Sequence, residues 1–160
     1  QSMTTTELLT AIQACHSDYC EIIGEESQQV LQVEAARVAE LMLWLRDHEE
    51  YPFNMLRNLT AVDYGEHLDV IYHVYSMALR QMIVIKTRCQ AENSEVPSVT
   101  SVWPAADFQE REVFDLMGIR FTGHPDLRRI LMPEEYTEHP LRKSFKLGAG
   151  SAAVVQRGCN

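Results

Sequence analysis

FQEREVFDLMGIRFTGHPDLRRILMPEEYTEHPLRKSF, residues 108–145, opens as a charged amphipathic helix and continues as a segment with neither a helical nor a strand period. Pro125, Pro133 and Pro140 recur along it. Each blocks helix propagation and removes a backbone donor. Between and around them stand Phe121, Leu127, Ile130, Leu131, Met132, Tyr136, Leu141 and Phe145. That content is too apolar for a disordered tail and too interrupted for a core element. A body of about 110 residues has a radius of gyration near 13 Å. The 25 residues from Phe121 to Phe145 reach up to about 80 Å when extended. A structureless segment of this length is uncommon in a compact domain unless it is functional or bound elsewhere. It reads as an arm that buries itself on another protein.

Working outward from the arm, the rest of the chain reads as one domain, which suits 160 residues with 46% apolar content. Thr4–Ala14 is predicted as a short helix with hydroxyls at its start and Leu8, Leu9 and Ile12 on one face. Tyr19–Ile23 and Val30–Val33 read as a hairpin around a Gly-Glu-Glu-Ser turn. Ala35–Glu49 is the clearest helix, with Val38, Leu41, Met42 and Leu45 at helical spacing and Tyr51-Pro52 ending it.

Three strands are then predicted, at Asn58–Tyr64, His67–Ser76 and Gln81–Cys89, joined by turns short enough for antiparallel hairpins. Residues 91–97 break the sheet. A helix opens at Trp103-Pro104 and stops at Gly118. The fold class is therefore α+β: a two-layer sandwich of order α-β-β-α-β-β-β-α, with a mostly antiparallel or mixed sheet and an extended C-terminal arm. The expected division is a body over 1–118, a subunit-docking arm over 119–147 and a flexible tail over 148–160.

The net charge of −9 is unevenly placed. Residues 1–110 carry 6 basic and 17 acidic side chains, whereas residues 111–160 carry 8 and 6. An acidic body repels phosphate, so nucleic acid is a poor partner. The mildly basic tail suits an acidic protein surface, where arginines fork onto carboxylates. No apolar run is long enough to span a membrane. The N-terminus lacks the pattern of a secretory signal, and Gln1-Ser2 before Met3 reads as a tag remnant. Cys15, Cys20, Cys89 and Cys159 form no Cys-x-x-Cys pair, which fits a reduced compartment.

Few side chains suggest chemistry. Arg111 lies four residues from both Asp107 and Asp115, so one guanidinium is expected between two carboxylates. Glu110 or Glu112 as a general base, with His124, would need a pocket joining them and a nucleophile, and neither is legible. A salt-bridged helix face is the simpler reading. Cys15, His16 and Cys20 lack the second ligand pair that structural zinc requires, and a cluster needs four thiolates placed together. His124 and His139 read as hydrogen-bonding groups at an interface. Arg128, Arg129, Arg142 and Lys143 are interleaved with acids, so they suit partner carboxylates better than lipid or phosphate.

Taken together, Glu110-Arg111-Glu112, Asp115, Gly118, Phe121, Gly123-His124-Pro125, Arg128-Arg129, Pro133 and Pro140-Leu141-Arg142-Lys143 resemble the signature of the small hydrophilic C subunit of respiratory complex I, the proton-pumping NADH:quinone oxidoreductase. Leu59–Tyr64 and Val70–Ser76 are similar to that family's central hairpin. The match departs at Ser144, where the family continues with Asp, and at Met117, where it commonly has an aromatic. The resemblance implies a protein without its own redox centre. FMN and iron–sulfur clusters would sit on other subunits, and NADH and quinone would be substrates of the whole complex. It implies an arm running over subunits D and B, and a peripheral place on the cytoplasmic face of the inner or plasma membrane. The same signature is shared with membrane-bound [NiFe] hydrogenases and related dehydrogenases, so that assignment stays open on the sequence.

Overall fold

The structure, a computed structural model, describes residues 3–128 and 139–142. Helix α1 spans Thr5–Cys15. Its start is secured by Thr4, whose hydroxyl accepts the Glu7 N–H at 3.1 Å while the Glu7 carboxylate accepts the Thr4 N–H at 2.9 Å. Strands β1 (Cys20–Ile23) and β2 (Val30–Val33) form the expected antiparallel hairpin. Gly24 stands at its turn with φ of 95°, where a Cβ would lie 2.6 Å from the Gln28 carbonyl oxygen.

The next helix is shorter than its hydrophobic period suggests. Ala35–Arg37 form a single 3-10 turn, and α2 proper runs from Val38 to Arg46. Beyond it, His48 Nδ1 accepts the backbone N–H groups of Glu50 and Tyr51 at 3.1 and 3.2 Å, which draws the chain out of the helix before Glu49.

Strands β3 (Met55–Asp63), β4 (His67–Ser76) and β5 (Gln81–Gln90) follow as an antiparallel meander. β3 starts earlier than predicted and is interrupted between Leu56 and Asn58 by a register shift. The five-stranded order is β1-β2-β5-β4-β3, with β2 and β5 parallel, so the sheet is mixed. Helix α3 spans Ala106–Met117.

Two short strands lie outside the predicted order. Residues 91–97, expected only to break the sheet, contain β6 (Glu95–Pro97), and the first residues of the expected arm form β7 (Arg120–Thr122). The two pair in parallel, with Val96 opposite Phe121. Ile119 is fully buried and Phe121 nearly so. The packed body therefore reaches past Gly118, because Ile119 and Phe121 complete the core beside α3.

One core joins all three helices to one face of the sheet. Leu8, Leu9 and Ile12 come from α1, Val38, Leu41, Met42 and Leu45 from α2, and Ala106, Val113 and Met117 from α3. They meet Leu59, Leu68, Val70, Tyr72, Val74, Ile83 and Ile85. Leu41 is fully buried in this layer, whereas Leu43, two residues on, is 45% exposed. Replacing Leu41 by Ala should lower unfolding stability by about 2–5 kcal/mol. Leu43→Ala should stay within about 0.5 kcal/mol of the parent. Denaturant titration of the two variants side by side checks the helix register directly.

Candidate functional site: the seat of the C-terminal segment on α3

The signature residues converge on α3, but not as a salt-bridged outer face. Glu110 is fully buried. Its carboxylate accepts the Ser98 hydroxyl at 2.7 Å and the Val99 N–H at 2.8 Å, tying the loop before α3 to the helix. Burial pushes this carboxyl above the ordinary glutamate range, against the opposing pull of those two donors and of His124. On the preceding position, Gln109 Oε1 accepts the Leu59 N–H at 2.6 Å, occupying a backbone donor of the edge strand β3.

Asp107 does not hold Arg111. Its backbone oxygen and its Oδ1 lie 3.1 and 3.0 Å from His124 Nε2. His124 Nδ1 accepts the Asp126 N–H at 2.8 Å. Nε2 donates to the Asp107 carbonyl, while Asp107 Oδ1, though close, accepts no hydrogen bond among the described residues. Gly123, at φ of 85°, turns the chain from β7 so that this ring folds back onto α3. Among the described residues, Arg111 makes no ion pair with Asp107 or Asp115, and its Nε is buried without a hydrogen-bond partner. The expectation of one arginine clamped between two carboxylates is corrected: α-helical spacing allowed the pairing, but Asp107 is taken by His124 and the Asp115 side chain is turned into the interior.

The C-terminal end of α3 receives the second described piece of the arm, residues 139–142. Gly118 ends the helix at φ of 80°, and its own N–H returns to the Phe114 carbonyl at 2.9 Å. His139 Nδ1 donates to the Asp115 carbonyl at 3.0 Å. The Leu141 N–H donates to the Leu116 carbonyl at 2.8 Å. Arg142 spreads its fork three ways: Nε to Asp63 Oδ2 at 3.2 Å, Nη1 to the Met117 carbonyl at 3.0 Å and Nη2 to the Ala91 carbonyl at 2.7 Å. Asp63, nearly buried, also accepts the Gly65 N–H at 2.7 Å through its other oxygen. A Cβ at Gly118 would stand 2.9 Å from the His139 ring, so glycine serves both the left-handed turn and the approach of that ring.

The remaining predicted site residues are scattered. Glu112 lines a cavity of about 230 Å³ between β3 and α3, with Leu59, Val113, Leu116 and Leu141. Pro125 is exposed, Arg128 is bonded to Asp126 at 3.1 Å, and Pro140 is half-buried. Arg129, Pro133 and Lys143 lie outside the described residues, as does much of the expected arm and all of the expected tail. The hydrolytic reading loses its geometry: Glu110 and His124 are each spent on internal partners, and Glu112 lines a separate groove. Sequence reasoning missed Asp63, Ser98 and the carbonyls of Ala91 and Met117. For Asp63 a local signal existed, since an aspartate two residues before a glycine at a hairpin turn favours an Asx turn. The carbonyls carry no sequence signal.

Similarity to known proteins points one way. The family described as "Respiratory-chain NADH dehydrogenase, 30 Kd subunit" matches residues 31–151. The C subunit of the NADH-quinone oxidoreductase of Roseiflexus sp. (strain RS-1) is 46% identical over 126 residues, which is 77% of this chain and 72% of that protein. Its counterpart from Moorella thermoacetica is 48% identical over 119 residues, 73% of this chain and 79% of that one. Among solved structures, the trypsin-resistant fragment of Nqo5 superposes with a TM-score of 0.61 at 25% identity, covering 78% of this chain and all of that fragment. A chain of the archaeal membrane-bound sulfane sulfur reductase complex shares the fold, with a TM-score of 0.73 at 24% identity over 89% of this chain and 85% of that one.

Two outcomes follow from the seat. Arg142→Ala should cost about 1–3 kcal/mol, because it removes three hydrogen bonds, one of them to a nearly buried carboxylate. Arg142→Lys should recover only part of that, since an ammonium cannot fork to three acceptors; chemical denaturation of the two variants measures this. Glu110→Gln tests the buried carboxyl. Its folded pKa is raised, so the folded state binds the proton more tightly and stability contributed by the acid form is lost as pH rises through the window above the usual glutamate value. The stability advantage of the parent over Glu110→Gln should therefore be largest at acid pH and shrink towards neutrality. A difference that is flat with pH would show that Glu110 titrates normally.

Proposed function

The chain belongs to the family of the 30 kDa subunit of respiratory-chain NADH dehydrogenase, and from that membership we propose that it is a non-redox scaffold protein of the peripheral arm of NADH:quinone oxidoreductase. In this reading it holds cluster-bearing and quinone-site subunits, D and B among them, at fixed spacing while electrons pass from NADH to quinone through FMN and iron–sulfur clusters on those other chains. Among the described residues no helix is long and apolar enough to cross a membrane, so its place on the cytoplasmic face would be peripheral, through its partners. In this reading the docking arm falls within residues 119–147, beyond the part of it (Ile119–Thr122) that packs in the body, and 148–160 form its tail.

One observation carries the scaffold role. The polar groups of the signature are spent inside the chain rather than left open to a substrate: Glu110 holds the pre-helix loop at Ser98 and Val99, while His124 on Asp107 and Arg142 on Asp63, Met117 and Ala91 seat the segment after α3. An arm anchored at both ends of α3 leaves from a defined point in a defined direction. That lowers the ordering cost of docking the rest of it. A second reading, membership of a related complex with another electron donor, such as a membrane-bound [NiFe] hydrogenase, is favoured by the shared fold with the sulfane sulfur reductase chain.

Affinity purification of the tagged chain from its source, followed by mass spectrometry, should recover subunits D and B of a quinone oxidoreductase. Recovery of a hydrogenase large subunit instead would select the second reading. Truncation after Arg128 keeps β7 and the His124 contact. It should leave a folded body yet reduce recovery of those subunits at least about tenfold, and recovery by the full chain should fall as salt screens its arginines. Full recovery by the truncated chain would rule out the arm as the docking element.

A further inference from the structure

The outer face of the sheet carries a group of apolar side chains among its polar ones. An antiparallel sheet packed on one side normally alternates apolar inward with polar outward. Here the inward row is buried as expected, with Leu59, Tyr72, Ile85 and Leu31 in register across four strands. On the outward side Ile23, Val30, Val84, Ile71, Tyr75 and Val62, all half-buried, occur on all five strands, interleaved with polar residues such as Gln32, Thr60 and Lys86. The buried side chains of all three helices belong to the opposite layer. His73 stands opposite Val84 in this outer row, and its Nδ1 is buried without a hydrogen-bond partner among the described residues.

The chain carries −9 overall, yet on the outer face the cations Arg57, Lys86 and Arg88 outnumber the acids Glu21 and Asp69. Arg57 is exposed, with its guanidinium 4.4 Å from the Tyr75 ring centroid. Asp69 lies fully buried between Lys86 Nζ at 3.3 Å and Arg88 Nε at 3.0 Å, so the Arg88 side chain, 46% exposed, and not the carboxylate, meets the outside. Apolar side chains grouped around Val84, Ile71 and Tyr75 with cations at their margin suit an interaction surface.

We propose that the outer sheet face is a second docking surface, covered by a partner protein of the same complex whose patch is apolar at its centre and carries carboxylates opposite Arg57 and Arg88. This rests on the reading above that the chain is part of such a complex. A second copy of the chain would set cationic face against cationic face. Residues 143–160 contain Lys143, Lys146 and Arg157 and no Asp or Glu, so they too would be repelled.

The test co-expresses the full chain with the other hydrophilic subunits of its complex and quantifies their co-purification for the parent, Arg57→Glu and Val84→Glu. Melting and sedimentation of each free chain are measured alongside. Recovery should fall at least about tenfold for both variants, since a like charge inside an interface costs more than one factor of ten in affinity. Arg57→Glu, at an exposed position, should melt with the parent, which keeps the test valid if Val84→Glu folds poorly. Arg57→Lys should bind as the parent does. Parental recovery by both glutamate variants overturns this proposal alone. So does a parental chain that dimerises through this face. So does a large loss of melting temperature in free Arg57→Glu with assembly intact, which would mean that residues 129–138, which include Glu134, Glu135 and Glu138, already cover it. A parental chain that recovers none of the other proteins sinks the complex reading itself.

Discussion

An α-helix ends with four carbonyls that have no donor within the helix, and at the end of α3 all four are satisfied. Gly118 takes Phe114, His139 takes Asp115, Leu141 takes Leu116 and Arg142 takes Met117. Three of these four donors lie more than twenty residues beyond the helix in sequence. The chain therefore folds its own C-terminal segment back as the cap of its last helix. Arg142 sits there with its positive charge at the negative end of the helix dipole. Each part of this depends on the left-handed turn at Gly118, without which the chain could neither leave the helix nor admit the His139 ring.

The same helix is held at its other end by equally committed groups. Glu110 fixes the loop at Ser98–Val99, Gln109 covers the edge of β3, and Asp107 receives His124 from the turn after β7. A carboxylate suits position 110 because it accepts two donors at once. A glutamine there would turn an N–H towards one of them. α3 thus behaves less as one layer of a sandwich than as the post on which the pre-helix loop, the edge strand and the arm are hung. The parallel pair of β6 and β7 closes this arrangement by joining the segment before α3 to the segment after it.

What was legible in the sequence follows from the range of the forces involved. β4 and β5 are legible because a fully buried residue recurs at every second position along most of each strand, so their period and, within a residue, their boundaries survive in the sequence. Val38, Leu41, Met42 and Leu45 announce α2, but its end is set by the His48 side chain reaching two later backbone donors, a contact that no periodicity encodes. β6 and β7 are three residues each, too short for any period. The pairing of Arg111 with Asp107 and Asp115 was compatible with helix geometry. It was displaced by His124, which stands seventeen residues away from Asp107 and is brought there only by the turn at Gly123. The apolar, proline-broken character of the arm showed that it must bury something. Which residues it buries against its own body is a tertiary fact.

The placement of charge then decides where recognition by other chains must lie. Reading the arm's cations as partner-directed treated Arg142 as available. Its guanidinium is instead fully engaged inside the chain, and Arg128 is already paired with Asp126. Arg57 and Arg88, by contrast, stand on a sheet face that also carries half-buried Val84, Ile71 and Tyr75. The carboxylate beside Arg88, Asp69, is buried beneath its partners. With Asp69 buried beneath its partners and Glu21 the exposed acid among Arg57, Lys86 and Arg88, this surface favours, in the proposal above, an acidic partner. Under the proposed scaffold role, the anchored arm and the open sheet face are two separate solutions to one requirement, that the chain be held in a single orientation by partners on more than one side.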